Sequence, residues 1–451
     1  MAQNNDIVVR FPPSPTGFLH IGNARTFLFN YLFAKKNNGK IVFRLEDTDK
    51  ERSKKEYEED IISNLKWLGI EPDFSTTVRQ SERGNIYKQY LEEMIKNGYA
   101  YISKEDVSEE NKRSEVIRFK NPNKKIEFDD EIRGKILFDT TELSDFVIAK
   151  SIEEPVYHLA VVIDDFLMGV THIIRGEDGI SNTPRQILIQ EAIGANRPIY
   201  AHLPLMLAPD KTKLSKRKHG EQVSVTYYRN HGYLPEALVN YLALVGWNPG
   251  LDKDIFNKEE LINSFDIKKV QKKGGIFDIE KLNWINRQYI MLQTREEQKE
   301  FLLNYIKKTS YHGHKKLGDH GFVDKFLDLV LERISFWGEI EKNAKEGEYD
   351  FLFDTPKIEA EKIKWKKSDN LTAKKHLEYI KKISEEIDEK DKLIKEISEY
   401  AEREGKGDVL WPLRYSLSGK EKSPDPFSII NILEKKEVHE RIENAINAIF
   451  K

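Results

Sequence analysis

With 451 residues, 39% of them hydrophobic, the chain is too long for one core and is expected to divide into roughly three or four domains of about 100 to 200 residues. It has no cysteine, which excludes disulfides, thiolate zinc sites and a cysteine nucleophile. Lysine plus arginine (73) nearly balances aspartate plus glutamate (76), for a net charge of −3, so a polyanionic partner must be met by local basic patches rather than by an overall field. The opening "MAQNND" lacks a basic and then apolar leader, and no stretch approaches the roughly eighteen apolar residues that cross a bilayer. A cytoplasmic chain without membrane association is the expectation.

"IVVRF" (7–11) reads as a short buried strand, followed by a loop stiffened by Pro12, Pro13 and Pro15. A helix is expected from Asn23 to about Asn37, because Ala24, Phe27, Leu28, Tyr31 and Leu32 share one face. "KIVFRLED" is a second strand, and Ile61, Leu65 and Leu68 mark a second helix; this strand, helix, strand, helix opening predicts a parallel sheet. After the helical "GNIYKQYLEEMIKNG", the irregular, strand-like text from about 99 to 151 reads as an insertion. The pattern resumes at "YHLAVVIDDFLMGVTHIIRGED", where Asp164 and Asp165 read as leaving a buried strand. In the following helix Thr183 is the expected cap and Pro184 the first helical position. From about 255 the text is mostly helical and rich in Lys and Glu.

Two loops stand out. A strand feeding a glycine-containing loop and then a helix aims backbone N–H groups and the positive end of the helix dipole at whatever lies above the sheet's carboxyl edge. His20, between Gly17 and Gly22, is placed to donate to a phosphate there, the glycines permitting close approach or positive φ. Far downstream, "LAPDKTKLSKRKHG" (207–220) concentrates lysine after an apolar strand, and Lys213 and Lys216 at spacing three can converge on one polyanion. Arg10, Arg175 and Glu46 each lie at the end of an apolar strand, where ligand-facing side chains emerge in open α/β sheets; an ordinary ion pair is the plainer alternative for each. "EDTD" before a helix is explained as N-capping rather than as a metal pair.

"RFPPSPTGFLHIGNART", "RLEDTDKERS", "IRGEDGISNTPRQ", "KLSKRKHG" and "GYLPEALVNYLALVGW", in that order, resemble the glutamate–tRNA ligase family of class I aminoacyl-tRNA synthetases. The resemblance is nearly continuous from 7 to about 292, with a fainter echo at "LWPLRYSLSGKEKSPDPFSII". It implies an α/β Rossmann-type parallel-sheet catalytic domain with an α+β insertion, followed by an all-α C-terminal anticodon-binding region. The expected divisions are 1–80 and 157–240 for the two catalytic halves, 81–156 for an insertion that holds the tRNA acceptor end, 241–292 for a stem-contact region, and 293–451 for anticodon binding.

By the same resemblance, the activity is ATP-dependent attachment of L-glutamate to tRNA(Glu) through a glutamyl-adenylate, with tRNA(Gln) as a second candidate acceptor. His20, Lys213 and Lys216 are the implied catalytic residues. Gly17, His20, Gly22 and Lys216 are implied for ATP, and Arg10, Ser14, Glu46, Tyr157 and Arg175 for glutamate. ATP enters as substrate with Mg2+ on its phosphates, no dedicated metal ligand and no zinc are expected, and the enzyme is expected to be a monomer. "SFDIKKVQKKGG" fits contacts to an RNA backbone, and Trp411, Arg414 and Tyr415 are candidates for reading bases.

The pattern departs from the family at Asn23, where the general class signature carries a second histidine, at a short insertion, and at Gly179, where relatives often carry histidine. Other readings remain open on these residues: a glutamine-specific ligase, a shortened enzyme that glutamylates a tRNA base, a nucleotidyltransferase acting without RNA, or a silent tRNA-binding protein.

Overall fold

A computed structural model describes residues 6–105 and 114–449, the side chain of Lys216 apart. They form two units, one ending at Tyr289 and the other beginning at Ile290.

The first unit is built on parallel strands. Val8–Phe11 pairs with Lys40–Leu45, which pairs with Val78–Arg79, and His172–Gly176 pairs with Ile199–Leu203, all parallel. The two sets meet where the Thr171 amide donates to the Val8 carbonyl at 2.9 Å. The order in which strands are added to the sheet therefore reverses between Val8–Phe11 and His172–Gly176, and at such a switch point a crevice opens above the carboxyl ends of the strands.

Helix Ile21–Lys36 connects the first two strands and is buried on nearly every side, since Ile21, Ala24, Phe27, Leu28, Phe29 and Leu32 are all inaccessible to solvent. Arg25 joins this apolar helix because its charge is spent on backbone, Nε donating to the Val245 carbonyl (2.7 Å) and Nη1 to that of Pro204 (2.9 Å). The helix starts two residues before the sequence expectation. His20 supplies the cap, its Nδ1 accepting from the Gly22 amide at 3.0 Å.

Residues Tyr157–Leu167 are a helix, not the buried strand read from their apolar run, so Asp164 and Asp165 are not turn formers. A short apolar run does not distinguish a buried helix from a strand by periodicity. What settles it is polar pairing: Asp164, fully buried, accepts from Arg83 Nε (2.7 Å), Gln80 Nε2 (2.8 Å) and the Tyr87 hydroxyl (2.8 Å). Two capping expectations also change. Thr183 lies inside helix Thr183–Ala192, with Asn182 at the cap, and Thr183 bonds elsewhere. Asp47 and Asp49 do not cap helix Lys55–Trp67, whose N-cap Lys54 makes no side-chain cap bond. They stand too far upstream: Asp47 accepts from the Ser81 amide and hydroxyl (2.8 and 2.6 Å), and Asp49 from Arg52 Nε (2.7 Å).

Between the sheet's halves, Gly84–Lys96 is a helix, and Ala100–Lys104, Glu115–Phe119, Phe146–Ser151 and Glu154–Pro155 form an antiparallel sheet. The hairpin Lys125–Asp130 and Gly134–Asp139 joins the catalytic sheet itself, Asp130 pairing with Tyr200. The second unit is helical throughout its described residues, ending in Asn370–Glu386, Lys390–Glu404, Lys406–Ser418, Pro426–Ile432 and Lys435–Ala448. Tyr415 is buried there, which removes it from the candidates for reading a base. Trp411 packs against Trp365 (ring centroids 5.0 Å apart) with Arg414 over its ring at 4.6 Å. Among the described residues no helix is long and apolar enough to cross a membrane.

Asp164→Ala leaves the Gln80 and Tyr87 donors buried without their acceptor and Arg83 without its carboxylate, while Arg44 keeps Asp165 and Glu46; breaking such a cluster costs about 3–5 kcal/mol. The urea midpoint of the first unit's unfolding is expected to fall accordingly; an unchanged midpoint would show that the cluster contributes nothing to stability.

Candidate active site

The crevice at the switch point is a cleft of about 510 Å3. Arg10, Ser14, His20, Gly22, Glu46, Tyr157, Arg175 and Lys213 all line it, so residues from both signature loops and all three strand ends face one volume. Gly17 does not line it. Its φ is not positive and an added Cβ would meet nothing within 4 Å, so neither space nor backbone strain requires glycine at 17. At Gly22 a Cβ would come within 3.1 Å of His20 Nδ1, so glycine there protects the imidazole cap. The side chain of Lys216 lies outside the described residues; its backbone begins helix Lys216–His219.

Lys213 reaches the cleft because the chain turns back on itself. Lys211 takes φ of +63°, the Ala208 amide donates to the Thr212 carbonyl (2.8 Å), and the Leu214 amide to that of Met206 (3.2 Å). Its ammonium then sits 3.0 Å from Asp178 Oδ2 across the cleft mouth. His20 feels both neighbours: burial first, and the Lys213 charge second, push its imidazole down to about 4. It is neutral near pH 7, and because Nδ1 accepts from Gly22, the remaining proton is on Nε2 as a free donor.

Arg175 is the least expected feature. It is 9% exposed, and among the described residues no carboxylate lies within ion-pair distance of it. Its donors meet neutral acceptors instead: His202 Nε2 (3.1 Å), Gln186 Oε1 (2.8 Å), the Gly179 carbonyl (3.0 Å) and Thr183 Oγ1 (2.7 Å). Gly179 makes this seat possible, since a Cβ there would stand 2.5 Å from Arg175 Nε. His202 can accept because its Nδ1–H is given to Asp130 Oδ2 at 2.6 Å. Burial lowers the His202 pKa and keeps the ring neutral despite Asp130. Burial likewise draws Arg175 below its ordinary value. A cation held this way is costly until an anion reaches it.

Across the cleft, burial pushes the Glu46 carboxyl up to about 7, against the pull of Arg44 and Arg10. Arg10, 2% exposed, donates to the Ile174 carbonyl at 3.3 Å and pairs with Asp165 at 3.6 Å. The cleft therefore presents buried arginines and a buried acid to one volume. That arrangement suits a zwitterion with a second carboxylate, next to donors suited to phosphate.

The groups that organise these charges escaped the sequence reading. Asp130, Thr183, Gln186 and His202 reach Arg175, directly or through one another, from two strands and the helix Thr183–Ala192, and no local pattern ties them to Arg175. Only Arg44, a charge inside the apolar strand "KIVFRL", carried a visible signal. Among the described residues no three of His, Asp and Glu converge as a metal site.

Residues 6–115 and 102–284 match the model of the class I tRNA synthetases (E and Q) catalytic domain, and residues 294–446 match that of an anticodon binding domain. A glutamate–tRNA ligase of Aquifex aeolicus is 39% identical over 97% of this chain and 98% of its own length. Glutamate–tRNA ligase 1 of Petrotoga mobilis is 41% identical over 98% and 97%. The crystal structure of a glutamate tRNA ligase from Elizabethkingia meningosepticum in complex with its amino acid superposes with a TM-score of 0.85 at 33% identity, covering 98% of this chain and all of that one. With both domain models matched in order and full-length relatives at this identity, the chain belongs to the class I tRNA synthetases of the glutamate and glutamine branch.

Proposed function

We propose that the chain joins L-glutamate to tRNA(Glu) in two steps. A glutamate carboxylate oxygen attacks the α-phosphorus of ATP, the bond to the β-phosphate oxygen breaks, and pyrophosphate leaves. A terminal ribose hydroxyl of the tRNA then attacks the adenylate's carbonyl carbon, gives up its proton, and releases AMP. The observation that carries this reading is the buried Arg175, without a carboxylate partner among the described residues, in the same cleft that His20 and Lys213 line.

Neither step needs a protein nucleophile, so catalysis rests on positioning and on cations aimed at developing charge. In this reading Arg175 takes the γ-carboxylate with Tyr157 beside it, and Glu46 takes the α-ammonium. Arg10 and Ser14 complete the amino-acid site. His20 donates from Nε2 to the phosphates, with the Gly22 backbone close by, and Lys213 and Lys216 steady the transferring group. Magnesium arrives on the triphosphate, held by phosphate oxygens and water. The residues 81–156 hold the acceptor end. Lys273 follows the stem backbone, while neighbouring Lys268, Lys269 and Lys272 are engaged by Glu131 (3.8 Å), the Pro249 carbonyl (2.9 Å) and the Arg133 carbonyl (3.5 Å). The half-buried pair Trp411 and Arg414 is the base-reading candidate of the helical unit.

The test is charging of purified tRNA(Glu) and tRNA(Gln) with labelled glutamate and with glutamine. Glutamyl-tRNA(Glu) is expected, and no glutamylated product with either tRNA would overturn the proposal. Arg175→Ala is expected to raise KM for glutamate about a hundredfold or more, the scale of one buried charge pair, with KM for ATP nearly unchanged. Equal loss for both substrates would remove Arg175 from the amino-acid site. His20→Ala should lower kcat by about 10²–10³, as loss of one transition-state donor does. Because the His20 imidazole is already neutral above about 4, the wild-type rate should show no limb from it between pH 5.5 and 8. A limb near the free-histidine value of about 6.5 that vanishes in His20→Ala would contradict that assignment.

A further inference from the structure

Behind the cleft, two layers of charge are buried. Arg44, on the strand Lys40–Leu45, is fully buried and meets three carboxylates: Asp165 at 2.8 Å, Glu46 at 3.3 Å and Asp164 at 3.7 Å. Asp165 lies between two guanidiniums, since its other oxygen pairs with Arg10 at 3.6 Å. Arg44 itself does not line the cleft, whereas Glu46 and Arg10 do. One interior cation thus touches the cleft's acid directly and its arginine through a single carboxylate.

We propose that Arg44 is a positioning residue of the amino-acid site, orienting Glu46 directly and Arg10 through Asp165, so that the cleft's acid and its neighbouring cation keep a constant separation. The inference rests on Glu46 and Arg10 serving as amino-acid contacts, as set out above. A rigid pair matters because a displacement of about 1 Å in a binding constellation costs about a hundredfold in rate. Asp164 is excluded from the role: its oxygens are taken by Arg83, Gln80 and Tyr87, none of which lines the cleft.

The charge layout also gives Arg44 a signature that mere support of the fold would not have. The groups facing Glu46 are Arg44 on its own strand, Arg10 on the neighbouring strand, and Asp165 and Tyr157 on helix Tyr157–Leu167. Burial raises the Glu46 carboxyl, Arg44 and Arg10 lower it, and Asp165 raises it. Glu46 must be anionic to hold an ammonium, so loss of Arg44 moves the acid limb of glutamate use to higher pH. Loss of the Asp165 charge does not.

The experiment is aminoacylation by the full chain at saturating tRNA, with glutamate and ATP varied separately from pH 5.5 to 8.5, for Arg44→Met, Arg44→Lys, Asp165→Asn and Glu46→Gln. Arg44→Met is expected to raise KM for glutamate about tenfold or more while KM for ATP stays within about twofold, and to move the acid limb of kcat/KM for glutamate upward by about one pH unit. Arg44→Lys should recover part of the affinity and most of the limb position, and Asp165→Asn should raise KM for glutamate without raising the limb. An unmoved limb in Arg44→Met, or parallel rises in both KM values, overturns the proposal. If Arg44→Met does not fold by circular dichroism, Arg44→Lys and Asp165→Asn decide it, and a normal glutamate KM in both overturns it. Glu46→Gln separates the two layers of inference: an unchanged glutamate KM there refutes the assignment of the amino-acid site rather than the role of Arg44.

Discussion

A guanidinium more than nine-tenths buried with no carboxylate in direct contact is an unstable thing to build, and the first unit is arranged around supporting one. Arg175 is held by four neutral acceptors, the most consequential being His202 Nε2. That nitrogen has its lone pair free only because Asp130 takes the proton on Nδ1. Asp130 pays for its own burial with that bond and with the amides of Ile132 and Arg133, which hold it below the usual carboxylate range. A chain of three residues on three strands thus keeps a positive charge facing the cleft without cancelling it.

The second arrangement is the meeting of two loops about two hundred positions apart. The prolines and the imidazole cap hold the first loop, and a tight reversal at Lys211 carries Lys213 into the same volume. Their proximity has an electrostatic consequence, since the Lys213 charge helps keep His20 neutral and therefore a donor with one defined tautomer. Behind the cleft the buried cluster of Arg10, Arg44, Glu46, Asp164 and Asp165 holds acid and cation at short range. Low local dielectric makes such pairs strong when complete and costly when one member is lost.

Much of this was legible before any coordinates. The alternation of strands and helices at the start, the helix of apolar period after the histidine loop, and the strand-end positions of Arg10, Glu46 and Arg175 follow from periodicity and from the rules of open parallel sheets. The failures have physical causes as well. The run at 157–167 is apolar on most sides because it is buried, so its period was hidden. The capping roles expected of Asp47 and Thr183 give way to partners at Ser81 and Arg175 outside the local window, whereas Asp49 turns to Arg52, three residues on and still upstream of the helix. Tyr415 has the same composition-level signal as a base-stacking aromatic and is simply core.

By itself the sequence determined which chemistry was available: a histidine after a stiff turn, a lysine loop, arginines and a glutamate at strand ends, and no thiol. Those assignments depend on residue type and on spacing of a few positions, which the chain carries locally. Only the tertiary structure decided which charges stand alone and which are balanced, because that depends on burial and on partners such as Asp130, Asp165 and His202 that arrive from distant segments. Desolvation acts on position in space rather than on order in the chain, and for that reason the difference between a paired Arg10 and an Arg175 without an acid beside it could be read only from the fold.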